Sequence, residues 1–341
     1  MTQVNDDAAA ATLLRLAYGY QISRALHVAV ELNVADHIGD TPVSAEDVAP
    51  RVGAHPGSLY RLLRALATVG VFRETDDRRF VASPMSDLLR TDHPRSLWAW
   101  PGFGGHRRHW QLWGDLLHCV RTGQDANRHL HGTDGGRPYR ADKPEEAAAA
   151  NAGFAAASRS VVPAILAAYD FARFQKIVDV GGGNGTLLTS ILGATPRATG
   201  IVFDLPHVAP AAAAVIRQAG LEGRCEARGG SYRDGVPPGG DAYIIKSVLM
   251  DQTAEEAAAV LRKVRAAMGA RGTLLVIERL IGAPNEGQPN AMMDLTMLVA
   301  TGGFVRRRDE WAAIFTGGGF TLDSVTPTAS PFHILEGRPS T

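Results

Sequence analysis

Two cysteines, Cys119 and Cys225, lie far apart in a chain of 341 residues. They supply neither a disulfide framework nor a cysteine-rich zinc site. Net charge is missing too, because 35 Lys and Arg balance 35 Asp and Glu. A duplex-binding protein displaces counterions with excess positive charge, and this chain has none overall. No apolar run reaches the ~18 residues of a membrane span. The opening residues, MTQVNDDAAAATLLRL, carry no basic run ahead of an apolar core, so they do not read as a secretory signal. A cytoplasmic location is the default expectation. Lysine is scarce, 4 residues against 31 Arg and 52 Ala, which singles out each lysine that remains. What is present, 45% hydrophobic and 21% charged residues, is the composition of a folded globular protein. At ~100–200 residues per domain, the length predicts two domains.

The first third reads as helical. Apolar residues from Leu13 to Leu32 recur at helical spacing and predict one helix over 11–38. Nothing within a domain of this size obviously covers that apolar face, so it is expected to pair with a second copy and give a homodimer. Ser44 with Asp47 three residues on predicts a helix start, and Pro56 opens a second helix with Leu59, Leu62, Leu63 and Leu66 on one face. Short strands near Val71–Glu74 and Arg79–Ala82, joined at Asp76–Asp77, complete a winged-helix pattern. Its functional reading is DNA binding. However, the second helix is mostly Leu and Ala apart from Arg61 and Arg64, and a protein–protein module fits better. Residues 95–123 are helical and rich in Trp (Trp98, Trp100, Trp110, Trp113). Residues 124–144 read as a loop, and 145–172 as an Ala-rich helix. From 176 onward, strand-length apolar runs (KIVDVGG, ATGIVFDL, CEARGG, DAYIIKS, TLLVIE) alternate with helical patterns. That alternation predicts a parallel sheet with helices on both faces. The expected division is therefore 1–100 as dimerisation domain, 101–172 as linking helices that contribute to a substrate pocket, and 173–341 as catalytic domain.

The strongest local signal is Asp179-Val180-Gly181-Gly182-Gly183-Asn184-Gly185. Here a strand ends in a glycine-rich turn that opens a helix, and glycine lets backbone approach a ligand closely. The dinucleotide fingerprint is G-x-G-x-x-G. The spacing here, with an acid ahead of the glycines, suits a nucleoside bearing a zwitterionic amino-acid tail. The next strand ends in Asp204, placed to accept hydrogen bonds from both hydroxyls of a ribose.

These segments resemble class I S-adenosylmethionine-dependent methyltransferases. More narrowly, the chain resembles the small-molecule O-methyltransferases of plant phenylpropanoid and bacterial polyketide-tailoring metabolism. NAGFAAASRSVVPAILAAY, VDVGGGNG, VFDLPHV, GVPPGGDAYIIKSVL, AMGARGTLLVIERLI and DLTMLVATGG carry the resemblance in the family's order. It implies an α/β, Rossmann-like domain with a mostly parallel seven-stranded sheet, preceded by a mainly helical winged-helix dimerisation domain. It implies S-adenosyl-L-methionine as cofactor, no metal, no nucleic acid and no membrane. Asp179, Gly181 and Gly183 would wrap the methionine part, Asp204 would hold the ribose, and Leu205, Ser231 and Tyr232 would meet the adenine. Ser231 stands where the family has an acid. Lys246 would lie near the cofactor carboxylate.

The family's catalytic pattern breaks at one place. Its O-methylating members carry a His-Asp-Trp run after this lysine, and the His takes the proton from the acceptor hydroxyl. Here the run is Met250-Asp251-Gln252. Of the two acids that orient that His, one survives as Glu278, while Val305 replaces the other. Glu278 and Asp251 are the remaining catalytic candidates. The substrate pocket is expected at Phe154, His109, Met250, Met293, Met297 and Phe304, shaped for a small aromatic or polycyclic acceptor. Three readings follow. Methyl transfer proceeds by proximity and orientation, or another residue such as His106 or His109 supplies the base, or the fold catalyses a different reaction. That last reading covers hydroxylation or a pericyclic step; N- or C-methylation is a further alternative. A winged-helix regulator that senses a metabolite is a separate reading, and the intact glycine turn, Asp204 and Lys246 argue against it.

Overall fold

The structure, a computed structural model, describes residues 2–132 and 144–340. It divides into two compact units, Met1–Gln111 with Tyr139–Ala157 and Leu112–Pro138 with Ser158–Thr341. Residues 101–172 are thus shared between the two. The helix Pro144–Ala168 begins in the first unit and ends in the second.

In the first unit, the single helix expected over 11–38 is two helices, Thr2–Ala17 and Gly19–Glu31, followed by the 3-10 turn Val34–His37. The chain leaves helical geometry at Tyr18 before Gly19, and again at Asn33, whose left-handed φ of 49° stops the second helix. Helix Ala45–Val52 starts at Ser44 with a reciprocal capping box to Asp47. Helix Pro56–Ala67 places proline in its first turn, where no intrahelical N–H is needed. Leu59, Leu63 and Leu66 face a core with Val30, Val34, Phe72 and Phe80, and Leu62 is half-buried at its edge. Strands β1 (Arg73–Glu74) and β2 (Phe80–Val81) form the antiparallel wing. Leu13, Leu14, Leu16, Tyr18, Tyr20 and Ile22 remain exposed along the first two helices, with Leu13 at 67%.

The second unit is built on one sheet of seven strands: β3 (Lys176–Val180), β4 (Thr199–Asp204), β5 (Cys225–Gly229), β6 (Ala242–Lys246), β7 (Thr273–Arg279), β8 (Phe320–Pro327) and β9 (Phe332–Pro339). Their order is β5-β4-β3-β6-β7-β9-β8. The five strands read from the sequence are parallel, and β7 pairs antiparallel with β9, which pairs antiparallel with β8. One apolar cluster (Ile177, Leu188, Ile191, Ile244, Ile277) covers one face of the sheet. A second (Val178, Tyr243, Leu261, Trp311, Phe315) covers the other. Burial on both faces explains why these strands are continuously apolar. The carboxyl ends of β3, β4, β6 and β7 lie side by side, and the topology reverses between β3 and β6. In open α/β sheets this is where ligands bind. The span 124–144, expected as loop, contains the short helix Ala126–His131, capped by Asp125; 133–143 lie outside the described residues.

Glu336 on β9, itself buried, accepts hydrogen bonds from the Tyr169 hydroxyl at 2.7 Å and from Arg173 at 2.5 Å. This ties the segment after the long helix to the sheet. We expect Glu336→Ala to lower unfolding free energy by about 1–3 kcal/mol, because it leaves a part-buried hydroxyl without its acceptor. Chemical denaturation measures this, and an unchanged midpoint would show that the tie carries no stability.

Candidate active site

The glycine turn follows directly from β3. Gly181, Gly183 and Gly185 have φ of 70°, 58° and 77°, left-handed conformations that glycine alone adopts freely. A Cβ on Gly181 would sit 2.6 Å from Val248 Cγ2, and one on Gly182 would sit 2.7 Å from Asp179 Oδ2. Gly183 has nothing within 4 Å on that side. The turn is therefore packed from behind and open in front. Its N–H groups hold it to β4: Gly181 donates to the Phe203 carbonyl at 2.8 Å, and Gly183 donates to Asp204 Oδ2 at 2.8 Å. Leu205 N–H donates to Asp204 Oδ1 at 2.7 Å. Each Asp204 oxygen retains a second lone pair for an incoming hydroxyl. Gly230 N–H donates to the Asp204 carbonyl at 2.8 Å, which brings Ser231 and half-buried Tyr232 to the same corner, beside exposed Leu205.

Three ionisable side chains lie on the neighbouring strands β3, β6 and β7: Asp179, Lys246 and Glu278. Asp179 is 1% exposed and its Oδ2 has no hydrogen-bond partner. Burial pushes its carboxyl up to about 7, Lys246 acts in the opposite sense, and the negative charge of Asp204 adds to the rise. Burial also pushes the Lys246 ammonium below its ordinary value, opposed by Asp179 and then Glu278. Lys246 Nζ donates to Ser158 Oγ at 3.1 Å and lies 5.3 Å above the Phe332 ring. Glu278, 1% exposed, is pushed up to about 8 by burial and next by Asp251. Its carboxyl accepts the Val248 N–H at 3.2 Å. Glu278 thus stands behind the turn and holds its backbone.

That turn begins at Ser247, a non-glycine residue at φ 55°, and includes the 3-10 segment Leu249–Asp251. Met250 is buried, and its carbonyl accepts the Phe304 N–H at 2.8 Å. Asp251 has protein on most sides, so desolvation raises its carboxyl to about 6, while a hydrogen bond from Thr301 acts against the rise. Yet its side is open to solvent. Met293 and Met297 are half-buried on helix Gln288–Ala300, whose end leads through Thr301 to exposed Phe304.

The residues expected around the cofactor, Asp179, Gly181, Gly183, Asp204, Leu205, Ser231, Tyr232 and Lys246, all lie at the carboxyl ends of β3 to β6 or in the loops that follow. Met250 and Asp251 lie in the neighbouring turn, Phe304 in the segment bonded to it, Glu278 on β7 and Met293 and Met297 on helix Gln288–Ala300. His109 and Phe154 belong to the first unit, where both pack on Phe103 with ring centroids 5.3 and 5.2 Å away. Burial, and then His106, hold His109 below the ordinary imidazole range. Thr301, Ser158 and Arg306 escaped the sequence reading. Arg306 is 4% exposed and bonds the Leu249 and Gln252 carbonyls, a role that nothing local distinguishes among 31 arginines. Among the described residues no group of three or more His, Cys, Asp or Glu could hold a metal ion, and no helix is long and apolar enough to cross a membrane.

Glu278 generates a pH prediction. Its folded value, about 8, lies above the ordinary 4.5. Between the two the folded chain holds a proton that the unfolded chain has lost, so its contribution to stability falls as pH rises through that window. Glu278→Gln should flatten the decline in melting temperature between pH 5 and 9. Parallel curves for the two proteins would contradict a buried, proton-holding Glu278.

The O-methyltransferase domain model matches residues 113–321, and the O-methyltransferase dimerisation domain model matches residues 14–92. The phenazine O-methyltransferase of Lysobacter antibioticus is 38% identical over 96% of this chain and 95% of its own length. The solved structure of a mitomycin 7-O-methyltransferase aligns with a TM-score of 0.90 at 34% identity, covering 99% of this chain and 100% of that one. An O-methyltransferase from neocarzinostatin biosynthesis, solved with S-adenosylmethionine and 2-hydroxy-5-methyl naphthoic acid, aligns with a TM-score of 0.78. It is 32% identical, and the match covers 93% of this chain and 95% of that one.

Proposed function

Since the chain belongs to the O-methyltransferase family of S-adenosylmethionine-dependent enzymes, we propose that it methylates an aromatic or polycyclic secondary metabolite by proximity and orientation, without an imidazole base. Bound S-adenosylmethionine supplies an electrophilic methyl group on a sulfonium. The residues present suit it. Gly183 leaves the turn open in front, Asp204 keeps two lone pairs for the ribose hydroxyls, and Leu205, Ser231 and Tyr232 flank the place for the adenine. Lys246 offers an ammonium to the cofactor carboxylate. Asp179 lies behind the glycine turn with Oδ2 unpartnered, and its carboxyl would favour the cationic tail of the cofactor.

The observation that carries the mechanism is Met250. It occupies the turn at which relatives by resemblance place histidine, and a thioether takes no proton at neutral pH. Glu278 is buried and accepts a backbone N–H of that turn. Holding acceptor and methyl in line supplies up to ~7–11 kcal/mol of the barrier by itself. An acceptor that ionises readily, such as an acidic phenol or enol, then needs no strong base. Met250, Met293, Met297 and Phe304 line its place with polarizable sulfur and an aromatic face, a surface that adapts to flat ring systems. The exposed apolar face of the first two helices, together with the match to the dimerisation model, supports a homodimer.

Methyl transfer from labelled S-adenosylmethionine to a panel of hydroxylated aromatic metabolites, followed by mass spectrometry, tests the reading. Turnover is expected with at least one acidic phenol. Asp204→Ala should weaken cofactor binding by roughly tenfold or more in calorimetry, because it removes the ribose acceptor. Met250→Ala and Glu278→Gln should each cost under about tenfold, whereas loss of a true general base costs ~10²–10⁴-fold. A collapse in Asp251→Asn, His106→Ala or His109→Ala would locate a base at that residue and overturn base-free transfer. Absence of cofactor binding would overturn the whole reading.

A further inference from the structure

The segment 301–306 is hydrogen-bonded through Phe304 and Arg306 to the turn that carries Met250. Thr301 Oγ1 donates to the Met297 carbonyl at 3.2 Å and accepts the Gly303 N–H at 3.1 Å, which closes the end of the methionine-bearing helix. Phe304 N–H donates to the Met250 carbonyl at 2.8 Å. Arg306 Nη1 donates to the Leu249 carbonyl at 3.0 Å, and Arg306 Nη2 to the Gln252 carbonyl. One planar guanidinium thus bridges two carbonyls three residues apart, one on each side of Met250-Asp251. The same segment grips its other neighbours. Val305 N–H donates to Asp294 Oδ1 at 2.7 Å, on the helix that bears Met293 and Met297, and Ile281 N–H donates to the Arg306 carbonyl at 3.1 Å, just beyond β7.

Arg306 is held for this task from both sides. Its guanidinium carbon lies 5.3 Å from the Phe304 ring centroid and 5.4 Å from that of Trp311. It is 4% exposed, and its guanidinium donates to two backbone carbonyls. Burying a cation on neutral acceptors is costly unless its geometry is well satisfied. Stability alone would be served as well by an apolar side chain of similar volume. The cost is explained if the bridge fixes something that must not move.

We propose that Arg306 is a positioning residue for methyl transfer: its bridge between Leu249 and Gln252 fixes the turn, and with it the place of Met250 and Asp251 against the acceptor. The proposal rests on the methyltransferase reading above. With no imidazole in the turn, orientation carries the reaction, and a displacement of ~1 Å costs on the order of 10²-fold. Lysine cannot replace the bridge, since a compact ammonium lacks the rigid fork that spans both carbonyls.

Arg306→Met and Arg306→Lys test this in the full-length protein. Amide hydrogen exchange is read across 247–253 and 301–306. Cofactor affinity and the number of cofactor-binding sites are measured by calorimetry, and kcat and KM are normalised to those sites. Arg306→Met is expected to speed exchange of the Phe304 amide, lower kcat by roughly 10- to 100-fold, raise acceptor KM, and leave cofactor affinity within about twofold. Arg306→Lys should fall between it and the wild type in exchange and kcat, and it keeps the test alive should Arg306→Met fail to fold. Wild-type kcat per site in either variant would overturn the proposal. So would a fall in kcat with exchange of the turn unchanged. If the wild-type protein transfers no methyl group at all, the methyltransferase reading fails by itself, while unchanged exchange in the variants would sink the bridge.

Discussion

One ammonium, that of Lys246, stands between two buried carboxylates on the strands beside it. Asp179 on β3 and Glu278 on β7 both lose solvation on folding, and both are pushed well above the usual carboxylate range despite the lysine. Lys246 in turn is pushed down by burial and held up by the two acids. Removing the cation would push both carboxyls higher still, because neither could then ionise without an uncompensated buried charge. The glycine turn grows out of β3 next to Asp179, and the Met250 turn is pinned by Glu278. The electrostatic balance of Lys246 therefore joins the half of the site that suits the cofactor to the half that suits the acceptor.

Around that centre the site is organised by backbone. Asp204 holds the glycine turn through the Gly183 N–H and its own loop through the Leu205 N–H while keeping lone pairs free, Glu278 accepts the Val248 N–H of the next turn, and Arg306 donates to two of that turn's carbonyls. Side chains that hold backbone in place do little chemistry themselves. This arrangement fits a reaction in which the electrophile comes with the cofactor and the protein's work is alignment. A methionine at position 250, which takes no proton, is compatible with such a site.

Much of this was legible in the sequence because the signals were local. Glycines at left-handed positions, an acid at a strand end and continuous apolar runs each answer to chemistry within a few residues, and they placed the glycine turn, Asp204 and five strands. Strands β8 and β9 were missed. They pair only with each other and with the far side of β7, and segments such as TLDSVTP carry neither a continuous apolar run nor a turn signal of their own. The break at Tyr18–Gly19 was hidden because the apolar spacing continues through it. Glu278 was found, but its service to the Val248 amide depends on a fold that brings β7 beside β6. Arg306 was invisible for the same reason: its two carbonyl partners lie more than fifty residues away.

The central claim is that the acceptor's own acidity replaces an enzyme base. It is tested most directly by the pH dependence of single-turnover methyl transfer across a series of acceptor phenols graded in pKa. The account predicts that the midpoint of each rate profile moves with the phenol, one unit for each unit of acceptor pKa, with no inflection common to the series. A midpoint shared by all acceptors, set by a group on the protein, would contradict it.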